Sequence, residues 1–227
     1  MRDGTRLAGW YIPPFPNPAG PFPALLWFYG NGETIAAIWP VLREFRPART
    51  ALLVLDYPGY GASEGRTTEP ALYEAADLAY AALITRPGVD ASGVRVYGRS
   101  LGTVAAAHVA ATHAVAGLVL ESPFTNARDM ARRHYAPFPR FLIRLKLDNL
   151  GTITRVRCPV LVLHGTHDRL VPLEMGKRVA AAAPGPVELV LIEGAGHNDT
   201  YDIGGVAYRN KLWEFLDTPE AQSNPRG

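Results

Sequence analysis

Short runs of valine, leucine and aromatic residues recur along this chain, each bounded by turn residues and separated by longer helical patterns. They cover residues 24–29 (ALLWFY), 51–56 (ALLVLD), 94–97 (VRVY), 117–121 (GLVLE), 159–164 (PVLVLH) and 187–193 (VELVLIE). Runs without polar alternation belong to strands buried on both faces, which requires helices on either side of a parallel sheet. The alternation of such strands with helices over 34–45, 69–85 and 101–113 predicts an α/β fold with a doubly wound, mostly parallel sheet. A first short strand is expected over 7–12, ended by the proline-rich stretch 13–23. Residues 122–157 carry no strand pattern. They have room for short helices that would cover a site, and too little chain for a separate cap domain.

A length of 227 residues suits one large α/β domain, expected over 1–217 with a polar tail at 218–227. With 48% hydrophobic and 19% charged residues, collagen-like, coiled-coil and disordered classes are excluded. The formal charge of +2 and the lack of a dominant basic tract argue against nucleic acid as a partner. The single cysteine, Cys158, rules out an intrachain disulfide and a cysteine-based zinc site, and it reads as a small core hydrophobe. Residues 1–10 are charged and lack the apolar stretch of a signal peptide. Residues 101–120 are alanine-rich, contain two histidines and read as a helix followed by a strand, not a membrane span. A cytoplasmic location is the resulting expectation.

The chemistry centres on residues 94–102 (VRVYGRSLG), where a G-x-S-x-G sits between an apolar strand and a helix. In such a turn Ser100 adopts a strained conformation, and small residues two positions either side avoid clashes. The turn lifts the hydroxyl above the sheet and aims a helix N-terminus at it, where an oxyanion would form. A serine hydroxyl is a poor nucleophile without a base, so a histidine and an acid are expected elsewhere. Of six histidines, His108 and His113 lie on the helix after Ser100, and no motif places His134. His164 and His167 flank the turn after PVLVLH, and only His197 follows the last strand. Asp168, in HGTHDRLVP, lies between Ser100 and His197 and would hold the imidazole tautomer. Glu121 and Asp56 are rival strand-end acids, with Asp56 read as a turn-forming carboxylate. The second oxyanion donor is expected from the turn YGNGE, where the amide of Asn31 would act beside the amide of Leu101. The substrate pocket is assigned to Tyr29, Tyr60, Phe124 and Val171. Pro123, Phe124, Phe138 and Phe141 of the short insert read equally as acyl-pocket wall or ordinary core.

These motifs, YGNGE, LDYPGYGASEG, GRSLG, LESPF, CPVLVLHGTHDRLVP and EGAGHND, resemble the α/β-hydrolase superfamily in content and order, from about Asp3 to Trp213. More narrowly the chain is similar to small, lid-poor serine hydrolases related to the abhydrolase-domain proteins, some of which are membrane-anchored depalmitoylases. In that family the elbow serine, the aspartate of HGxxDxxVP and the histidine of GAGH form the triad, which corresponds to Ser100, Asp168 and His197. Tyr29-Gly30 stands where the family usually has His-Gly, a departure that bears on how the oxyanion turn is braced and not on its backbone donor. The N-terminal anchor of the eukaryotic relatives has no counterpart in the sequence, so a soluble enzyme is expected and no depalmitoylase role is carried over.

The resemblance implies a serine hydrolase cleaving esters or thioesters through an acyl-enzyme, without metal or organic cofactor. The small cover predicts a preference for short to medium acyl chains on a small-molecule substrate. Acyl transfer, perhydrolysis and amide cleavage by the same residues remain open, as does a ligand-binding protein on a hydrolase scaffold. A haloalkane dehalogenase is disfavoured because its nucleophile would be a carboxylate where Ser100 stands.

Overall fold

A computed structural model describes residues 1–16, 18–134 and 145–217. In chain order the elements are β1 (Gly9–Ile12), β2 (Phe22–Phe28), α1 (Ile35–Phe45), β3 (Ala51–Leu55), α2 (Glu69–Ile84), β4 (Val89–Arg99) and α3 (Gly102–Thr112). They continue with β5 (Gly117–Glu121), α4 (Ala127–His134), α5 (Asn149–Ile153), β6 (Val160–Gly165), α6 (Leu173–Ala182), β7 (Val187–Ile192) and α7 (Thr200–Asp217).

The strands form one seven-stranded sheet in the order β1-β3-β2-β4-β5-β6-β7. Every neighbouring pair is parallel except β1, which runs antiparallel along β3 from Gly9↔Leu55 to Ile12↔Leu52. The chain moves one way across the sheet from β2 to β3 and the other way from β3 onward. With right-handed crossovers, that reversal puts α1 on the opposite face from α2 and α3. α7 lies with α1: Phe45 meets Tyr208 edge-on at 5.5 Å, and the Trp213 indole N–H donates to the Phe45 carbonyl at 2.9 Å. The expected doubly wound, mostly parallel sheet is therefore what the chain forms. Its switch point lies between β2 and β4, where open α/β sheets bind ligands beyond their carboxyl ends.

The central strands justify the reading of uninterrupted apolar runs, since Leu25, Leu26, Val96, Val119, Leu120 and Val162 are all fully buried. Two differences have physical causes. β4 begins at Val89, well before the run at 94–97, because Phe22 pairs with Val89 ahead of a register shift, and the partly exposed residues there carry no apolar signal. β7 is apolar but sits at the sheet edge, so Leu191 remains 45% exposed. Helix starts follow side-chain caps: Thr34, Thr68 and Asp148 accept from Ala37, Ala71 and Gly151 at the heads of α1, α2 and α5. α3 has no such cap, which leaves its N-terminal amides directed at the carboxyl edge of the sheet. Among the described residues, no helix is long and apolar enough to cross a membrane.

α3 lies so close to the sheet that two glycines are obligatory. A Cβ on Gly98 would stand 2.4 Å from the Gly102 carbonyl oxygen and 2.6 Å from the Ala106 methyl, and one on Gly102 would stand 2.2 Å from the Phe28 carbonyl oxygen. The backbone contacts have no flexible side chain to yield. Gly102→Ala is therefore expected to destabilise the fold by about 1–3 kcal/mol, the usual range for overpacking. Urea unfolding of the variant checks this, and an unchanged midpoint would contradict the close approach.

Candidate active site

Ser100 occupies the turn between β4 and α3 with φ 50, a left-handed conformation that non-glycine residues rarely adopt. The turn is held from both sides. The Ser100 amide donates to the Glu121 carbonyl at 2.9 Å, and the Thr103 hydroxyl donates to the Ser100 carbonyl at 2.5 Å. The side chain projects over the sheet edge towards His197, which lies in the loop between β7 and α7.

His197 Nε2 stands 3.0 Å from Ser100 Oγ, and His197 Nδ1 stands 2.7 Å from Asp168 Oδ2. The other Asp168 oxygen accepts from the amides of Leu170 and Val171 at 3.0 and 2.8 Å. Burial pushes the Asp168 carboxyl up, but the hydrogen bonds from His197 and the Val171 amide, together with the adjacent imidazoles, bring it below the usual aspartate range. His164 packs beneath, fully buried, with Nε2 2.8 Å from the Val171 carbonyl and 3.6 Å from Asp168. Burial holds its pKa below the ordinary histidine value despite the favourable Val171 and Asp168 contacts. The residues read as nucleophile, acid and base thus come together from three different strand ends.

Across the switch point, the turn after β2 brings Asn31 to the same place. Neither the Asn31 nor the Leu101 amide N–H has a hydrogen-bond partner among the described residues. The Tyr60 hydroxyl donates to Asn31 Oδ1 at 2.5 Å and fixes that side chain. Ser100, Leu101, Asn31 and Tyr60 border a cavity of about 680 Å³ whose walls include Leu72, Phe124, Met130, Leu145, Leu147 and Leu170.

Tyr60 and Phe124 therefore line this cavity, and Tyr29 and Val171 do not. Tyr29 is buried with its hydroxyl donating to Asp56 at 2.9 Å, and it borders a separate cavity of about 270 Å³ on the other face of the sheet. The Val171 side chain is wholly inside the core, and only its backbone serves the site, by holding Asp168 and His164. Phe124 is both wall and core, being 6% exposed, and Pro123 is buried. Phe138 and Phe141 lie outside the described residues. The rival acids are committed elsewhere. Asp56 accepts from the Ile35 and Ala62 amides at 2.9 and 3.0 Å, and Glu121 accepts from the hydroxyls of Tyr97, Thr200 and Tyr208. His108 and His113 both contact Asp77, and His134 contacts the Leu170 carbonyl. Among the described residues, no group of three or more histidine, cysteine or acidic side chains could hold a metal ion.

Sequence reasoning missed Arg99 and Glu33, whose side chains meet at 2.6 Å behind the site. Their signal was present, since Arg99 is the first variable residue of the G-x-S-x-G and Glu33 ends YGNGE. It placed the cavity wall in the insert 122–157, where α4, Leu145 and Leu147 lie, but named none of those residues and missed Leu170.

The chain is 35% identical over 218 residues to Uncharacterized protein Rv2307c of Mycobacterium tuberculosis, covering 95% of this chain and 76% of that protein. It is 37% identical over 164 residues to human Alpha/beta hydrolase domain-containing protein 17B, covering 71% of this chain and 54% of the relative. A family model described as TAP-like protein matches residues 146–225. Among solved structures, the acetyl xylan esterase from Paenibacillus sp. R4 superposes with a TM-score of 0.76 at 20% identity over 94% of this chain and 80% of its own. The ferulic acid complex of Est1E from Butyrivibrio proteoclasticus does so with 0.73 at 22% identity, over 94% and 95%. The chain belongs to the α/β-hydrolase superfamily.

The depressed Asp168 carboxyl has a consequence for stability. Its native value lies below the unfolded one, so its contribution is complete above an unfolded pKa of about 3.9 and is lost as pH falls through the native value. Asp168→Asn is thus expected to be less stable than wild type at neutral pH, with the gap narrowing in acid. Urea unfolding at neutral pH and at about pH 3 measures the gap; one that does not narrow would contradict the assignment.

Proposed function

We propose that the protein is a serine hydrolase that cleaves carboxylic esters or thioesters through an acyl-enzyme. The observation that carries this reading is the continuous hydrogen-bonded line from Ser100 through His197 to Asp168, at 3.0 and 2.7 Å, at the border of an apolar cavity. Ser100 Oγ attacks the acyl carbon while its proton passes to His197 Nε2. Asp168 keeps the imidazole in the tautomer that accepts at Nε2 and stabilises the imidazolium. The amides of Asn31 and Leu101, beside the N-terminus of α3, donate to the tetrahedral oxyanion. Collapse breaks the bond to the leaving oxygen or sulfur, which takes the proton from His197. Water then attacks the acyl-serine with His197 as base, and the carboxylic acid leaves.

The apolar walls suit the hydrocarbon part of an acyl group, which they would remove from water at roughly 25 cal/mol per Å². A short to medium chain is the proposed preference, because Leu145 and Leu170 of the cavity wall are 49% and 45% exposed, so the far end of a long chain would meet water there. The esterase name of the Paenibacillus structure agrees in chemistry with this reading, though it describes its own protein. A cytoplasmic, small-molecule role is proposed with it.

Hydrolysis of p-nitrophenyl esters from acetate to palmitate tests the proposal. Ser100→Ala is expected to lower kcat by about a million-fold, in line with loss of a triad nucleophile. Wild type should label with a fluorophosphonate and the variant should not. Wild-type rates surviving in Ser100→Ala would refute the mechanism, and faster turnover of palmitate than butyrate would refute the chain preference. Met130→Trp fills the cavity wall and is expected to raise the butyrate-to-octanoate ratio by about tenfold. An unchanged ratio would mean that the acyl chain lies elsewhere.

A further inference from the structure

Arg99, the residue before the proposed nucleophile, turns to the opposite face of the sheet from Ser100. Its side chain is 16% exposed. Nη1 donates to Glu33 Oε1 at 2.6 Å, and Nη2 donates to the His197 carbonyl and to Asn198 Oδ1, both at 2.8 Å. Nε lies 3.5 Å from Glu121 Oε1. Glu33 passes the connection on, because its second oxygen accepts from the Gly30 amide at 2.6 Å, one residue before Asn31. Gly30 itself is closed in, since a Cβ there would meet Glu33 at 3.1 Å and Arg99 at 3.2 Å. Burial opposes the guanidinium charge, and the carboxylates of Glu121 and Glu33 more than restore it.

The topology explains why such a link matters. The His197 loop leaves β7 at the far edge of the sheet, separated from β4 by β5 and β6, and the Asn31 turn leaves β2 on the other side of β4. No strand ladder joins these two loops. Arg99 and Ser100, adjacent on one chain, take hold of the backbone and the ring of the same histidine. We propose that Arg99 is a positioning residue whose guanidinium fork holds the oxyanion turn and the His197 loop in register with Ser100. Tyr29 takes no part in this link, because its hydroxyl is spent on Asp56. The inference rests on the reading of Ser100 and His197 as nucleophile and base.

Its geometry separates it from a simple charge requirement. A guanidinium presents several donors in a fixed plane, whereas a lysine ammonium is a point charge that cannot reach all of these acceptors together. Arg99 does not border the acyl cavity, so substrate binding is left largely intact. It does border the cavity of about 270 Å³ on the opposite face, which offers room for a free guanidinium ion once the side chain is removed.

The test measures kcat and KM on p-nitrophenyl butyrate for wild type, Arg99→Ala, Arg99→Lys and Ser100→Ala, with fluorophosphonate labelling rates alongside. Arg99→Ala is expected to lose about a hundredfold in kcat, the scale of a misplacement near 1 Å, with KM within about threefold of wild type. Its labelling rate falls in parallel. Millimolar guanidinium restores at least about a tenth of the lost kcat to Arg99→Ala and leaves wild type unchanged, while Arg99→Lys stays impaired. A kcat for Arg99→Ala within about twofold of wild type, a loss confined to KM, full activity in Arg99→Lys, or no response to guanidinium each overturns the proposal. Should Arg99→Ala fail to fold, Glu33→Gln decides: it keeps an acceptor for Gly30 and weakens the grip on Arg99. A loss of about tenfold in kcat at unchanged KM supports the proposal, and an unchanged kcat overturns it. Turnover that survives Ser100→Ala sinks the hydrolase reading and the proposal with it. Turnover that needs Ser100 but ignores Arg99→Ala sinks the proposal alone.

Discussion

The contact on which the site depends is steric, the approach of α3 to the ends of β4 and β2. With 2.4 Å between a notional Cβ on Gly98 and the Gly102 carbonyl oxygen, and 2.2 Å between one on Gly102 and the Phe28 carbonyl oxygen, neither glycine position can carry a side chain. Ser100 sits midway between them. A left-handed serine costs on the order of 1–3 kcal/mol, and the conformation persists because its surroundings over-determine it. The ladder of β4 on β5 continues into the turn through the Ser100 amide, and Thr103 closes the turn from the helix side. Ser122, at the end of the next strand, repeats the arrangement with φ 48 and an amide N–H that donates to the Leu163 carbonyl at 2.9 Å. The strained backbone is thus an extension of sheet pairing beyond the last regular residue.

A second constraint is electrostatic. The carboxyl edge of the sheet carries Asp56, Glu121 and Asp168, all buried, and a buried carboxylate is tolerated only when its oxygens are bonded. Asp56 is satisfied by two amides and the Tyr29 hydroxyl, and Glu121 by three hydroxyls. Asp168 alone is bonded by backbone on one oxygen and by a histidine on the other. Three acids of similar position therefore differ in what they can do, because backbone N–H and tyrosine or threonine O–H neighbours keep their protons near neutral pH, whereas an imidazole can gain or lose one.

This accounts for what was legible in the sequence. The strands announced themselves because burial on both faces removes polar alternation, and Ser100, Asp168 and His197 could be read because each follows a strand within a recognisable turn. Tyr29 and Val171 were assigned to the pocket by their proximity to such turns. Neighbouring residues at a strand end point to opposite faces, however, and proximity along the chain does not reveal which face. The cavity wall from Met130, Leu145 and Leu170 was illegible for a different reason. Those residues lie far apart in sequence, one on the short helix α4 and the others on loops, and only tertiary packing collects them. The long β4 was shortened in the reading because its first half is too exposed to carry an apolar signal.

The same two-residue alternation divides the site. At the end of β4, Ser100 faces the side covered by α2 and α4, where Leu72 and Met130 make the cavity apolar. Arg99 faces the side covered by α1 and α7, where Glu33, Glu121, Asn198 and Tyr208 make it polar. A doubly wound sheet supplies both environments at one strand end, because successive side chains are handed to different helical layers. Among the described residues, the Ser100 hydroxyl is bonded by His197 and by no other side chain. The polar layer contains the N-terminal end of α7, into which the His197 loop leads, so the fastening of that loop falls on the side away from substrate. Reacting and bracing groups can then lie one residue apart on opposite faces, the His197 ring held by Ser100 and Asp168 while its backbone is held from behind.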